Sequence, residues 1–306
     1  MNKKSLPLIL VVDGTGTQGG NVARALLQRG YRVRILSRNP SSPAALLLQN
    51  QGAEIIQGDL GQPASLLPVM NNVTALFSAQ YSDPADSSIE VRNTVNMVQE
   101  ALKAGVQQVI HTSVIGTNIF PRWSKSTFLT TVWENKYKVE ELIRHGGFNN
   151  WTILHPSFFM ENFAEPLSRF MAPELKFGKL FGVLHPDTPI KLNCGEDTAR
   201  FALEGFEKPA LFQAKDINIA GDELSMKDIA LILSEVLERN IVYEEVTKEE
   251  GIRRGLFEGT VHSHQWMNEV PGFGFDIQET KKYGLPMTSL LTWIKRNKNR
   301  INLIDG

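Results

Sequence analysis

Three observations predict an α/β chain in which a doubly wound parallel sheet is followed by a smaller α/β C-terminal domain. The run Leu8-Ile9-Leu10-Val11-Val12 is too short for a helix and unbroken by polar residues, the pattern of a parallel strand buried on both faces. It leads into Asp13-Gly14-Thr15-Gly16-Thr17-Gln18-Gly19-Gly20, a Gly-x-Gly-x-x-Gly turn followed by a helical pattern over residues 21–29. From there strands and helices alternate as far as Pro156, where the texture of the chain changes. Strand, glycine turn and helix in that order make a Rossmann-type unit for a nucleotide. The glycines let the backbone approach a pyrophosphate, whose charge faces the free N–H groups and the positive end of the helix. A tight βα turn with no ligand would use the same glycines.

In the first helix Val22 and Leu26 share a face, and Gly30 stands where a C′ residue belongs. Residues 32–36 alternate and read as the second strand. At the end of such a strand an acid accepts the 2′-OH of NAD, whereas an arginine accommodates the 2′-phosphate of NADP. Arg38 stands there with no acid beside it, so NADP(H) is the expected cofactor. Residues 53–57 and 75–79 are the third and fourth strands. Residues 88–104 form a helix with Val91, Val95, Val98 and Leu102 as its stripe. Val109-Ile110 leads a fifth strand into His111-Thr112-Ser113, residues 126–144 form a second long helix, and Trp151–Leu154 is a sixth strand ending at His155-Pro156.

From Ser157 to Pro189 phenylalanines are interrupted by prolines and glycines, which rules out one regular element. We therefore expect residues 1–156 to form an NAD(P)-binding domain, with a return at about 190–220. Residues 157–306 would form a smaller substrate- or partner-binding domain lying over the sheet edge. Ser225-x-x-Asp228 resembles a capping box with Asp in the Glu place, Thr247-x-x-Glu250 is a cleaner one, and residues 288–299 read as the last helix.

The chain has 306 residues, 42% of them hydrophobic, enough for a substantial core. Its formal net charge of -1 gives no reason to expect nucleic acid as a partner. Cys194 is the single cysteine, so no internal disulfide can form and a reducing, cytoplasmic compartment is expected. Met1-Asn2-Lys3-Lys4 runs almost directly into the first strand, leaving no room for a signal peptide. No apolar run approaches the roughly 18 residues of a membrane span, and no membrane partner is expected. The sequence leaves the oligomeric state open.

Taken together, these residues resemble the NmrA-like family, atypical members of the short-chain dehydrogenase superfamily. Gly14-Thr15-Gly16-Thr17-Gln18-Gly19-Gly20 matches all but the first position of its glycine string. Further matches are Ser37-Arg38-Asn39-Pro40, Gly58-Asp59, Lys136 followed by Val139-Glu140-Glu141, and Ala220-Gly221-Asp222-Glu223-Leu224-Ser225. The most specific is Pro156-Ser157-Phe158-Phe159-Met160-Glu161-Asn162-Phe163. The resemblance implies Arg38 at the 2′-phosphate, Asp59 and Leu60 at the adenine, and Ala79, Gln80 and Tyr81 on the adenosine side. It also implies Lys136 at the nicotinamide ribose, with Phe158, Phe159 and Asn162 lining the nicotinamide and substrate end.

Three positions depart from the pattern. Asp13 stands in place of the first glycine, Val132 in place of the tyrosine four before Lys136, and His155 where arginine is common. Without the tyrosine phenol there is no obvious proton donor for a carbonyl.

Lys136 also carries a physical argument of its own. Leu129, Val132, Lys136, Val139 and Ile143 step by three and four, so the ammonium lies in an apolar stripe and must snorkel or find a buried partner. Ser113 occupies the superfamily's serine position or is a plain turn residue. His262-x-His264 lacks further ligands, and no metal is expected.

Two functions fit these residues. One is an NADPH-dependent reductase of a small aromatic, quinone-like or carbonyl substrate, with Lys136 orienting the ribose and able to donate a proton. The other is a non-enzymatic redox sensor that binds NADP(H) and acts through a regulatory protein partner.

Overall fold

Leu8, Ile9, Leu10 and Val11 are all at most 2% exposed, because helices cover both faces of the strand they form. The computed structural model describes residues 6–83, 85–119 and 127–304. Met1 to Lys4 and Ser126, the expected helix start, lie outside the described residues, as does the side chain of Leu129. The chain divides into two compact units. One comprises Met1–Asn118, Thr131–His155 and Thr198–Ile217, the other Ile119–Thr130, Pro156–Asp197 and Asn218–Gly306.

In the first unit β1 (Leu8–Val11), α1 (Thr17–Gln28), β2 (Arg32–Ser37), α2 (Pro43–Asn50) and β3 (Glu54–Gln57) follow one another. Then come α3 (Leu66–Met70), β4 (Ala75–Ala79), α4 (Ile89–Lys103), β5 (Gln108–Thr112), α5 (Thr127–Arg144) and β6 (Asn150–Pro156). After an excursion through β7 (Phe158–Phe159), α6 (Ser168–Met171), β8 (Lys179–Gly182) and β9 (Ile190–Asn193), the chain returns through α7 (Gly195–Glu207), α8 (Pro209–Phe212) and β10 (Lys215–Ile219). The sheet order is β10-β6-β5-β4-β1-β2-β3, with β1 to β6 parallel in register. Connections leave in opposite directions on either side of β1 and β4, and a doubly wound sheet opens a crevice at the carboxyl ends there.

The second unit continues with β11 (Asp222–Leu224), α9 (Met226–Leu237), β12 (Val242–Glu245), α10 (Lys248–Arg253), α11 (Glu258–Glu269), α12 (Ile277–Lys281) and α13 (Leu290–Asn297). Its strands form a sheet of order β11-β9-β7 and a β12-β8 pair.

Three local readings need correction. Of the stripe expected to bury α4, Val98 alone is buried. Glu90, Asn93, Thr94, Met97, Val98 and Ala101 are buried, whereas Leu102 is exposed. Glu90 and Thr94 can occupy that face because they find partners: Lys136 and Ser82 bind the Glu90 carboxylate, and Thr94 Oγ1 donates to the Glu90 carbonyl at 2.9 Å.

Strand β2 does not alternate either. Arg34 is 7% exposed, because Glu54 binds its guanidinium at 2.9 Å while the carbonyls of Val69 and Asn71 accept its remaining protons. Finally, the reciprocal capping box is the one at Ser225 and Asp228, where both side chains bond the opposite backbone N–H. At Thr247 only the hydroxyl accepts, from the Glu250 N–H at 3.2 Å.

Candidate functional site

A cleft of about 840 Å³ opens in the first unit at the carboxyl ends of β1 to β4, lined among others by Asp13, Thr15, Arg38 and Asn96. Of the glycine turn, Asp13 and Thr15 line it, whereas Gly14, Gly16, Thr17, Gln18 and Gly19 lie behind the lining. Helix α1 starts earlier than expected, at Thr17, so Thr17, Gln18, Gly19 and Gly20 already belong to its first turn and Gly16 is the N-cap. Here the glycines are required by close packing. A Cβ on Gly14 would fall 2.6 Å from Ile35 Cδ1, and one on Gly19 would strike the Asp13 carbonyl. Gln18 is held by the Thr112 hydroxyl, which donates to Oε1 at 2.6 Å and ties the start of α1 to the end of β5.

Asp13 takes the left-handed conformation at φ 60°, and a Cβ on Gly16 would strike its carboxylate. The acid therefore rests on the glycine turn at the open end of α1, where the first N–H groups have no intrahelical acceptor. Asp13 is exposed along the cleft, with the bulk of the protein behind it. Desolvation by that protein lifts its carboxyl to about 6, against the opposing pull of Arg38.

Arg38, exposed at the end of β2, stacks on the Tyr81 ring at 5.9 Å, and no acid pairs with it among the described residues. Asp59 and Leu60 line the cleft after β3, with Asp59 Oδ1 accepting the Gly61 N–H at 2.9 Å. Ala79, Gln80 and Tyr81 line it after β4. The face of α4 bearing Val91 and Val95 borders the same cleft, which explains why those valines are only half-buried.

Lys136 and Ser113 lie outside this lining, within two buried polar clusters of the first unit. Lys136, on α5, pairs with Glu90, which is 0% exposed, and donates to the Gln80 carbonyl at 3.0 Å. Ser82 Oγ donates to the other Glu90 oxygen at 2.9 Å. Glu90 is the partner that the apolar stripe required but could not name, because it stands 46 residues away on another helix.

Ser113, at the end of β5, donates to Glu140 Oε1 at 2.5 Å. Burial alone would raise the Glu140 carboxyl, yet His155 at 3.0 Å, Ser113 and Arg144 hold it at about 2. His155, which stands where arginine is common, is thus a direct partner of this carboxylate. His111 lies between the clusters with Nδ1 3.2 Å from Ser78 Oγ. Burial first, then the Lys136 charge, lowers it to about 3.

Among the described residues, Glu140, His155 and Asp216 are the group whose ligand atoms converge as a metal would require. The Arg144 guanidinium already bonds both carboxylates, at 2.8 Å each, so the group is held together by a cation of the chain itself. The histidines of α11 are structural: His264 accepts the Val183 N–H at 3.3 Å, and His262 lies 3.5 Å from Glu258.

Phe158, Phe159 and Asn162 are half-buried in the second unit, on β7 and the 3-10 turn after it. Glu161 beside them accepts the Gly195 N–H at 2.8 Å, and burial raises its carboxyl.

Residues 5–285 match the model of the NmrA-like family. The chain belongs to that family. An NmrA-like family domain-containing protein of Dictyostelium discoideum is 26% identical over 251 residues, 80% of each chain. Other curated relatives are matched over 35 to 60% of their own length. Among solved structures, the triphenylmethane reductase of Citrobacter sp. complexed with NADP(H) is 20% identical with a TM-score of 0.77. That match covers 94% of this chain and 99% of the reductase. NmrA, a negative transcriptional regulator in complex with NADP, is 20% identical with a TM-score of 0.75, covering 95% of each chain. At such identity the likeness is one of fold, and it matches the seven-stranded sheet of this NmrA-like protein. No described helix is long and apolar enough to cross a membrane.

Proposed function

We propose that the protein is an NADP(H)-dependent reductase of a small aromatic, quinone-like or carbonyl substrate, working in the cytoplasm. The observation that carries this reading is that Arg38 lines one cleft together with Asp13 and Thr15 of the glycine turn, with no acid next to Arg38 in the sequence at the end of β2. Arg38 holds the 2′-phosphate, and the open end of α1 faces the pyrophosphate. Asp59 and Leu60 flank the adenine, and Ala79, Gln80 and Tyr81 the adenosine side. Phe158, Phe159 and Asn162 border the nicotinamide and the substrate. The cofactor, when bound, supplies a hydride.

The chain's own residues provide orientation and a proton. Two of the three N–H directions of Lys136 are taken by Glu90 and Gln80, which leaves one for the nicotinamide ribose or, through it or a water, for the substrate. Ser113 is the poorer donor, because its only proton is already given to an ionised carboxylate. The reductase among the structural neighbours supports an aromatic substrate.

A second reading, an NADP(H) redox sensor acting through a protein partner, is favoured by one observation. Val132, half-buried on α5, stands where a tyrosine would donate the proton. NADPH oxidation measured across quinones, aromatic aldehydes, nitroaromatics and triphenylmethane dyes separates the two. Substrate-dependent turnover excludes a pure sensor, and tight NADPH binding with no turnover on any of these classes favours it.

A further inference from the structure

Asp13 is the position at which this chain departs from the family's glycine string, and the fold gives that departure a definite geometry. Its backbone is left-handed at φ 60°, and its carboxylate packs on Gly16 over the open end of α1. Asp13 and Arg38 line the same cleft. The acid therefore occupies the ground that the proposed reading gives to the pyrophosphate. An ionised carboxylate there repels the phosphates, whereas a neutral carboxyl can donate its own proton to a phosphate oxygen.

Building on the NADP(H) reading, we propose that Asp13 makes dinucleotide binding proton-linked: the cofactor binds with uptake of one proton onto the Asp13 carboxyl. The titratable and charged groups around it support a change near neutrality. The turn and the start of α1 present Thr15, Thr17 and Gln18, none of which titrates. Arg38 stands at the end of β2, Asp59 after β3 and Tyr81 after β4, while Arg92 on α4 is bound to Asp86 at 2.5 Å. Although Asp13 is exposed, desolvation by the protein behind it outweighs the pull of Arg38 and leaves the carboxyl at about 6, so the free protein changes its charge here within the range in which a reductase works. Above that value each pH unit weakens binding by roughly tenfold, as long as the bound form stays protonated.

The test is the Kd of NADPH for the wild type and Asp13→Asn, by calorimetry from pH 5 to 8 in buffers of differing ionisation enthalpy. Asparagine suits the variant because it is the non-glycine residue that best tolerates the left-handed region. The 2′-phosphate of NADPH itself titrates near about 6, but that contribution is common to both proteins and cancels in their ratio. At pH 5 the two affinities should agree within about threefold. At pH 8 the variant should bind roughly 10- to 100-fold tighter, and only the wild type should take up the additional proton. Parallel pH profiles with equal proton uptake would overturn the inference while leaving NADP(H) binding intact. Failure of both proteins to bind NADPH at any pH would overturn the cofactor reading and this inference with it.

Discussion

Glu90 is fully buried, and the Lys136 side chain against it is 13% exposed. Removing one partner of such a pair leaves a charge without compensation in a low-dielectric site, which typically costs about 3–5 kcal/mol. Lys136→Met should therefore lower the unfolding free energy by that amount, read as a lowered urea midpoint at constant m. Adding Glu90→Gln should restore most of the loss, because the stranded carboxylate is gone. An unchanged midpoint in the single variant would mean that Glu90 finds another cation or a proton. If the single variant is destabilised as expected, the double variant is the one that reports the effect of the missing ammonium on NADPH binding without a folding deficit. Arg38 calls for a simpler experiment. A charge-assisted bond to the 2′-phosphate contributes about 1.5–3 kcal/mol, or roughly 10- to 100-fold in Kd. Arg38→Ala should erase most of the preference for NADPH over NADH; equal wild-type affinities for the two would take that role from Arg38.

Helix α4 separates what periodicity can and cannot reveal about an element. Its length and ends, Ile89–Lys103 with Gly105 beyond, follow from local pattern, but its burial does not. Hydrophobicity selected the valine face, part of which borders the cleft, while the packed face carries Glu90, Asn93 and Thr94. A polar face can be buried when partners on other elements satisfy it, and a stripe cannot show those partners. Caps are the opposite case, since both halves lie within a few residues. Ser225 accepts the Asp228 N–H while the Asp228 carboxylate accepts the Ser225 N–H at 3.1 Å. Ser225→Ala should accordingly destabilise the protein by about 1 kcal/mol, read as a lowered urea midpoint. No change would mean that α9 is held by its packing alone.

Across the whole molecule, two buried histidines in separate units set a common acid limit. Burial holds His111 and His264 neutral, each with its value lowered from 6.5 to about 3. The unfolded chain then binds protons that the native state refuses. The stability this represents is present above pH 6.5 and is lost progressively as the pH falls toward 3, at up to roughly 1.4 kcal/mol per pH unit for each histidine. His264→Gln keeps an acceptor for the Val183 N–H and removes one titration. Urea midpoints measured from pH 7 to 4 should fall less steeply in that variant, and an unchanged slope would show that His264 is not a source of the acid loss.

The sequence by itself determined the strand, glycine turn and helix at the start of the chain, the alternation that builds the parallel sheet, and Arg38 at the end of β2. Each is a local pattern, read within a few residues of backbone. The tertiary structure decided that Asp13 rests on Gly16, that Glu90 is the partner of Lys136, and that Ser113, Glu140 and His155 form one buried cluster. Apart from the short turn at Asp13, these contacts join residues far apart along the chain. Charge and hydrogen-bond pairing act through space in a low-dielectric interior, so they become definite only once the sheet order has brought those elements together.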